Sequence, residues 1–169
     1  MAVVSFAADD VIDGLVTTLR AATGFRAPTE AGTDVPVFDG MEYGQGSNFS
    51  AVLIGDDGSG APNQRPFRFT SEWHDLDYTV DEVGYIQCAV LVWSGDANAS
   101  TQGTQRASAV TILKNVDTAV RATNVAAALG VTQLLWSKID AAEMFQDLED
   151  GWSTRLAFTY SYHALLQVT

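Results

Sequence analysis

Glu72-Trp73-His74-Asp75-Leu76-Asp77 is the densest cluster in the chain of groups that could ligate a metal or move a proton. In an extended segment Glu72 and His74 share a face, because side chains alternate with period two. A catalytic metal asks for three convergent ligands, and the only other histidine, His163, lies far along the chain. A solvated strand end is the better account. Gly55-Asp56-Asp57-Gly58-Ser59-Gly60 is glycine-rich, but it precedes no helical pattern and lacks the lysine of a phosphate loop. It also misses the oxygen-ligand spacing of a calcium loop. No Gly-x-Ser-x-Gly nucleophile turn is present, so a Ser-His-Asp site would have to use His74 or His163, both in segments that read as strands. Carboxylates are abundant without being paired by spacing. The residues therefore assign no catalytic group, no metal and no cofactor, although missing motifs do not exclude an enzyme, since sites assemble in space.

The elements that would carry such groups are organised around residues 84–121. GYIQCAVLVW (84–93) is rich in β-branched and aromatic residues and ends in the turn signal Ser94-Gly95-Asp96. Residues 98–103 read as a small, polar connection. Ala109, Ile112, Leu113, Val116, Ala119 and Val120 then recur at helical spacing, and at about 100° per residue they form a stripe roughly 120° wide. Thr111, Lys114, Thr118 and Arg121 cover the opposite side. A helix with one apolar stripe must bury it, and a sheet is the expected cover.

The same spacing at Ala8, Val11, Ile12, Leu15, Leu19 and Ala22 predicts a first helix over 6–22, with Ser5 as its cap, Asp9 and Asp10 at its positive end, and Gly24 as its stop. Short strands are expected at 35–38, where Pro36 belongs at an edge or a strand start, and at 49–54. Residues 55–66 have turn composition and no apolar periodicity, which predicts a long exposed loop or hairpin tip. A third strand is expected at 67–76, with 79–82 turning the chain into the 84–93 strand. A strand over 131–145, broken near Ala141-Ala142, and a hairpin turn at Glu149-Asp150-Gly151 lead to the clearest alternation in the chain. There Trp152, Thr154, Leu156, Phe158, Tyr160 and Tyr162 face one way, and the intervening residues up to His163 face the other. With no repeat and no internal boundary, 169 residues make a single α+β domain: a mostly antiparallel or mixed sheet with two amphipathic helices packed on it.

The formal charge is −12, from 9 basic and 21 acidic residues, which argues against a nucleic-acid-binding surface. Residues 69–105 hold six acids and 139–153 hold five, with no Lys or Arg in either stretch. Two base-free stretches are an ordinary solvated surface or one functional face. Cys88 is the only cysteine, inside an apolar strand, so it reads as a buried small hydrophobe. No run approaches the ~18–20 apolar residues of a membrane span, and the start lacks the basic region of a signal peptide. The expectation is a protein made and kept in cytoplasm.

The layout carries a resemblance. An N-terminal helix leads to Val37-Phe38-Asp39-Gly40 and a strand bearing Ala51-Val52-Leu53-Ile54-Gly55-Asp56. Then come Val92-Trp93-Ser94-Gly95-Asp96, the helix over 106–121, and a closing strand with Arg155-Leu156-Ala157-Phe158-Thr159-Tyr160. Over residues 8–165 this resembles the tail terminator proteins of long-tailed, siphovirus-type bacteriophages, particularly those infecting actinobacteria. The resemblance implies a virion subunit in a homo-hexameric ring that caps the tail tube, stops its polymerisation and joins it to the head connector or stopper protein. DNA would pass through such a ring without specific binding. On this reading Asp56, Asp57, Ser59, Asn63 and Arg65 are expected to contact the tube or connector. Asp75, Asp77, Asp81, Glu82, Glu143, Asp147, Glu149 and Asp150 are expected in an acidic channel or docking patch. The alternatives are a head-tail stopper or a tail tube subunit, and, from a different class, a small ligand-binding protein or enzyme with Trp136, Trp152, Phe158 and Tyr160 lining a pocket.

Overall fold

Two strands of sixteen residues, β5 (Thr79–Ser94) and β7 (Trp152–Gln167), pair antiparallel along their whole length, from Thr79↔Gln167 to Ser94↔Trp152, and form the spine of the molecule. The computed structural model describes residues 7–40, 48–61, 67–74, 79–122, 134–148 and 152–167. The remaining elements are α1 (Ala7–Ala21), β1 (Phe25–Arg26), β2 (Val35–Asp39), β3 (Asn48–Ile54), β4 (Phe67–His74), α2 (Ala99–Ala122) and β6 (Leu134–Leu148). The strand order is β1-β2-β3-β5-β7-β6, with β4 also on β5. Strands β1, β2 and β3 run parallel to one another; the other pairings are antiparallel. The α+β class expected from the sequence, a mixed sheet carrying two helices, is the observed one.

Period-two alternation sends Val80, Glu82, Ile86, Cys88, Val90 and Val92 of β5 and Leu156, Phe158, Tyr160 and Tyr162 of β7 to one face, which the helices cover. The stripe of α2 lies on it through Ala109, Ile112, Val116 and Val120, while α1 adds Val11, Leu15 and Leu19. Arg20 fastens α1 to the sheet by donating from Nε and Nη2 to the carbonyl of Val37, at 3.0 and 2.9 Å. The opposite face holds a smaller cluster of Phe38, Ala51, Leu53 and Ala89.

Four local expectations are corrected. The polar segment 98–103 is already helical: Asp96 accepts from the Asn98 amide and the Thr101 hydroxyl, nucleating the first turn of α2 at Ala99. Those bonds also hold the Asp96 carboxyl below its ordinary pKa. Residues 79–82 do not turn the chain; they extend β5, because β4 and β7 bind both of its sides there. At Ala141-Ala142 β6 does not break. It carries an extra residue at 135 and another at 140, so bulges absorb the irregular pattern and pairing continues to Leu148↔Trp152. The described part of the 55–66 loop, finally, is packed on the sheet rather than free. Gly58, at φ +71°, sits so close to Leu91, Ala89 and Arg155 that an added Cβ would lie 2.9, 3.1 and 3.2 Å from their atoms. Of the expected features, Ser5, the 149–151 turn and residues 131–133 lie outside the described residues.

Candidate functional site

Among the described residues, neither lateral margin of the long-stranded part of the sheet has a further strand partner. Among the described residues β6 pairs only with β7, and β4 pairs only with β5. The end of β5 nearer Ser94 is shared with β3, which leaves β4 alone on the flank nearer Thr79. Open edges carry unpaired N–H and C=O groups and are usually blunted in monomers. Here the edges also carry the large exposed apolar side chains: Leu135 (55%), Trp136, Phe145 and Leu148 on β6, and Trp73 (57%) on β4. Two of these rings are topped by cations. The Arg155 guanidinium lies 4.0 Å from the Phe145 centroid, and Lys138 Nζ lies 5.7 Å from that of Trp136.

The acidic residues singled out by sequence do not form one patch. Asp81 faces away from the helices, with its Oδ1 3.0 Å from Nε2 of His163 on the neighbouring strand. Glu143 and Asp147 are exposed on β6. Glu82 is a correction: it is wholly buried, on the helix-covered face, and cannot line a channel or dock a partner. Bases also meet acids: Arg155 of β7 reaches Asp57 in the 55–61 loop, and Lys138 pairs with Asp140, two residues on along β6, at 2.8 Å. That pair holds the Asp140 carboxyl below its ordinary pKa. Base-free in sequence is therefore not base-free in space. Asp75, Asp77, Glu149 and Asp150 lie outside the described residues.

In the 55–61 loop the residues expected to meet a partner have structural work. Asp56 is buried, and its Oδ1 accepts from the Gly58 amide at 2.5 Å. Asp57 Oδ1 accepts from the Ser59 amide, and its carbonyl accepts from Arg155 at 3.0 Å. Asn63 and Arg65 lie outside the described residues.

Glu82 is an acid whose pKa is raised. Its Oε1 accepts from the Tyr162 hydroxyl at 2.8 Å, while Oε2 has no partner among the described residues. Desolvation raises its pKa, against the Tyr162 bond and the Ala7 and Ala8 amides at the start of α1, which favour the charged form. Burial, and then the Glu82 carboxylate, raise the Tyr162 hydroxyl in turn. The pair is sealed from solvent, so no substrate reaches it. Cys88 is equally inaccessible, its thiol pushed up to about 12 by burial. No group of three metal-ligating side chains occurs among the described residues. Of the aromatics expected in one alternative to line a pocket, Tyr160 is core, and Phe158, though buried, borders a shallow cleft of about 320 Å³ with Glu143, Phe145 and Arg155.

Sequence reasoning missed a cleft of about 500 Å³ where the ends of β3 and β5 meet α2 and the 32–36 segment. Its lining includes Phe49, Trp93 and Gln105, the last a buried residue on the second turn of α2. The signal was a glutamine four residues before Ala109, on the apolar stripe, which the composition of 98–103 concealed.

Compared with protein-family models and with curated protein sequences, the chain matches none. Fold and surfaces together define a class: an α+β protein with a helix-covered sheet and, among the described residues, two strand edges without a partner.

Proposed function

We propose that the chain is a structural subunit of the tail terminator kind from a siphovirus-type bacteriophage, one that assembles head-to-tail into a ring. The ring caps the tail tube, stops its growth and joins it to the head connector. The observation that carries this reading is the pair of open edges, β4 and β6, at opposite sides of one sheet and both bearing exposed apolar side chains. Two different, complementary edges are what a heterologous contact needs, and such contacts close into rings when the rotation allows. Six subunits follow from the resemblance alone. DNA passes without being held, since the exposed acids Glu143 and Asp147 on β6 offer the phosphate backbone no counter-charge.

A tail tube subunit is the second reading, favoured by the long β4–β5 hairpin. Native mass spectrometry and negative-stain microscopy of the protein, alone and mixed with tail tubes, separate the two. A closed ring, or a monomer that adds one terminal ring to tube ends and halts elongation, supports the terminator. Self-extension into tubes supports the tube subunit. A monomer that leaves elongating tubes untouched sinks both.

A further inference from the structure

The shallow cleft of about 320 Å³ lies on the sheet face that the helices leave bare, beside the 55–61 loop. Strand register builds it. Gln87 lies opposite Thr159 and Thr159 opposite Ala141, while Ala157 lies opposite Glu143 and Arg155 opposite Phe145. Side chains paired directly across strands rise from one face. Ala141 and Ala157 are the short side chains among them and make the floor, while the longer ones and Asp57 of the loop stand around it.

The charges in the cleft do not cancel. Arg155 is committed: its guanidinium lies over the Phe145 ring, and Nη1 donates to the Asp57 carbonyl at 3.0 Å and sits 3.7 Å from Asp57 Oδ2. With that pair balanced, Glu143 leaves one negative charge over. The side chains of Glu143, Gln87 and Thr159 have no hydrogen bond or ion pair among the described residues, and all three line the cleft. They offer a carboxylate, a carboxamide oxygen and a hydroxyl oxygen. An ammonium group carries one positive charge and three donors, which matches that set. A guanidinium, with five donors in a rigid fork, matches it less well, and an anion meets Glu143 with no uncommitted base to hold it.

The geometry points to a binding site for a primary ammonium group on an alkyl stem, the head held by Glu143, Gln87 and Thr159 and the stem lying on Ala141 and Ala157. A lysine side chain of another protein and a free alkylamine share that chemistry. The site is independent of ring assembly and stands or falls separately from it.

The test is titration of n-pentylamine, and separately of N-acetyl-lysine methylamide, into wild-type protein carrying ¹³C-labelled alanine methyls, at neutral pH and low salt. Expected are saturable shifts of the Ala141 and Ala157 methyl signals, with n-pentanol, the same stem without the charge, leaving them in place. A response to the lysine derivative assigns the site to a partner protein's lysine; a response to n-pentylamine alone assigns it to a free amine. Glu143→Gln weakens binding roughly fivefold or more. Thr159→Val, which keeps the shape and removes one acceptor, weakens it as well and serves as the second variant. Asp147→Asn removes an equal charge further along β6 and leaves binding unchanged. An equal loss in Asp147→Asn reduces the effect to general surface charge and overturns the proposal. So do n-pentanol or pentanoate binding as tightly as the amine, binding unchanged in Glu143→Gln, shifts confined to other alanines, or no saturable shift with either amine.

Discussion

Tyr162 reaches Glu82 only because residue 84 carries no side chain: a Cβ there would lie 2.1 Å from the Tyr162 ring carbon. The neighbour is the body of a wholly buried ring and cannot swing aside. Gly84→Ala is accordingly expected to lower unfolding free energy by about 1–3 kcal/mol, read from urea titrations, as overpacked cores do. A wild-type-like midpoint would falsify the close fit. Glu82 makes a pH-dependent statement. Its folded pKa lies above the ordinary 4.5, so between 4.5 and the raised value the folded state holds more protons than the unfolded one. Stability from this group is full below 4.5 and is lost as pH rises through that window, at up to about 1.4 kcal/mol per pH unit. Asp96 and Asp140, with lowered pKa values, act in the opposite direction, so total stability is the wrong observable. The difference between wild type and Glu82→Gln isolates the term. The glutamine variant should gain on wild type as pH rises from 4 to 7, and a flat difference would remove the claim.

At the scale of elements, the 55–61 loop and the β6 edge make opposite predictions. Composition alone makes the loop dispensable, yet its glycine at 58 is pressed against Leu91 and Ala89 and its Asp57 carbonyl holds Arg155. Gly58→Val needs a left-handed backbone and overlaps three neighbours, so a loss of about 1–3 kcal/mol is expected, measured by thermal and urea unfolding. If it unfolds as wild type does, the loop is not docked. The β6 edge should behave the other way. Leu135 and Leu148 are half exposed, so Leu135→Lys with Leu148→Lys should change monomer stability by no more than about 0.5 kcal/mol per site. Lysine blunts an open edge, so the same variant should fail to form rings or to cap tubes. Rings that persist unchanged would show that β6 is not the contact.

Across the whole molecule, the proposed ring makes charge the test of how it would meet its partners. If Glu143 and Asp147 face a channel, Glu143→Lys with Asp147→Lys should leave rings and tails normal while DNA ejection slows, because lysines hold phosphates. If they instead dock basic groups on the tube or connector, joining should fail and wild-type assembly should weaken as salt rises over the range where the Debye length shrinks below about 10 Å. An effect on neither process leaves these acids as ordinary solvated surface.

The sequence by itself determined both helical stripes, most of the strands and their inward faces. The stripe at Ala109, Ile112, Val116 and Val120 and the alternation from Thr154 to Tyr162 are periodic signals, and burying an apolar face has one outcome wherever the partner lies. Only the tertiary structure decided the rest. Glu82 and Asp81 are adjacent acids in sequence, yet one is sealed under α1 and the other lies against His163, because alternation sends them to opposite faces. Gln105 reads as one more polar residue in a polar stretch, but helical geometry carries it onto the buried stripe. The acids of 69–105 and 139–153 read as base-free, and pairing across strands set His163 against Asp81 and Arg155 beside Phe145. Periodicity is written locally, whereas the meeting of polar groups depends on strand register and helix docking, which no local pattern encodes.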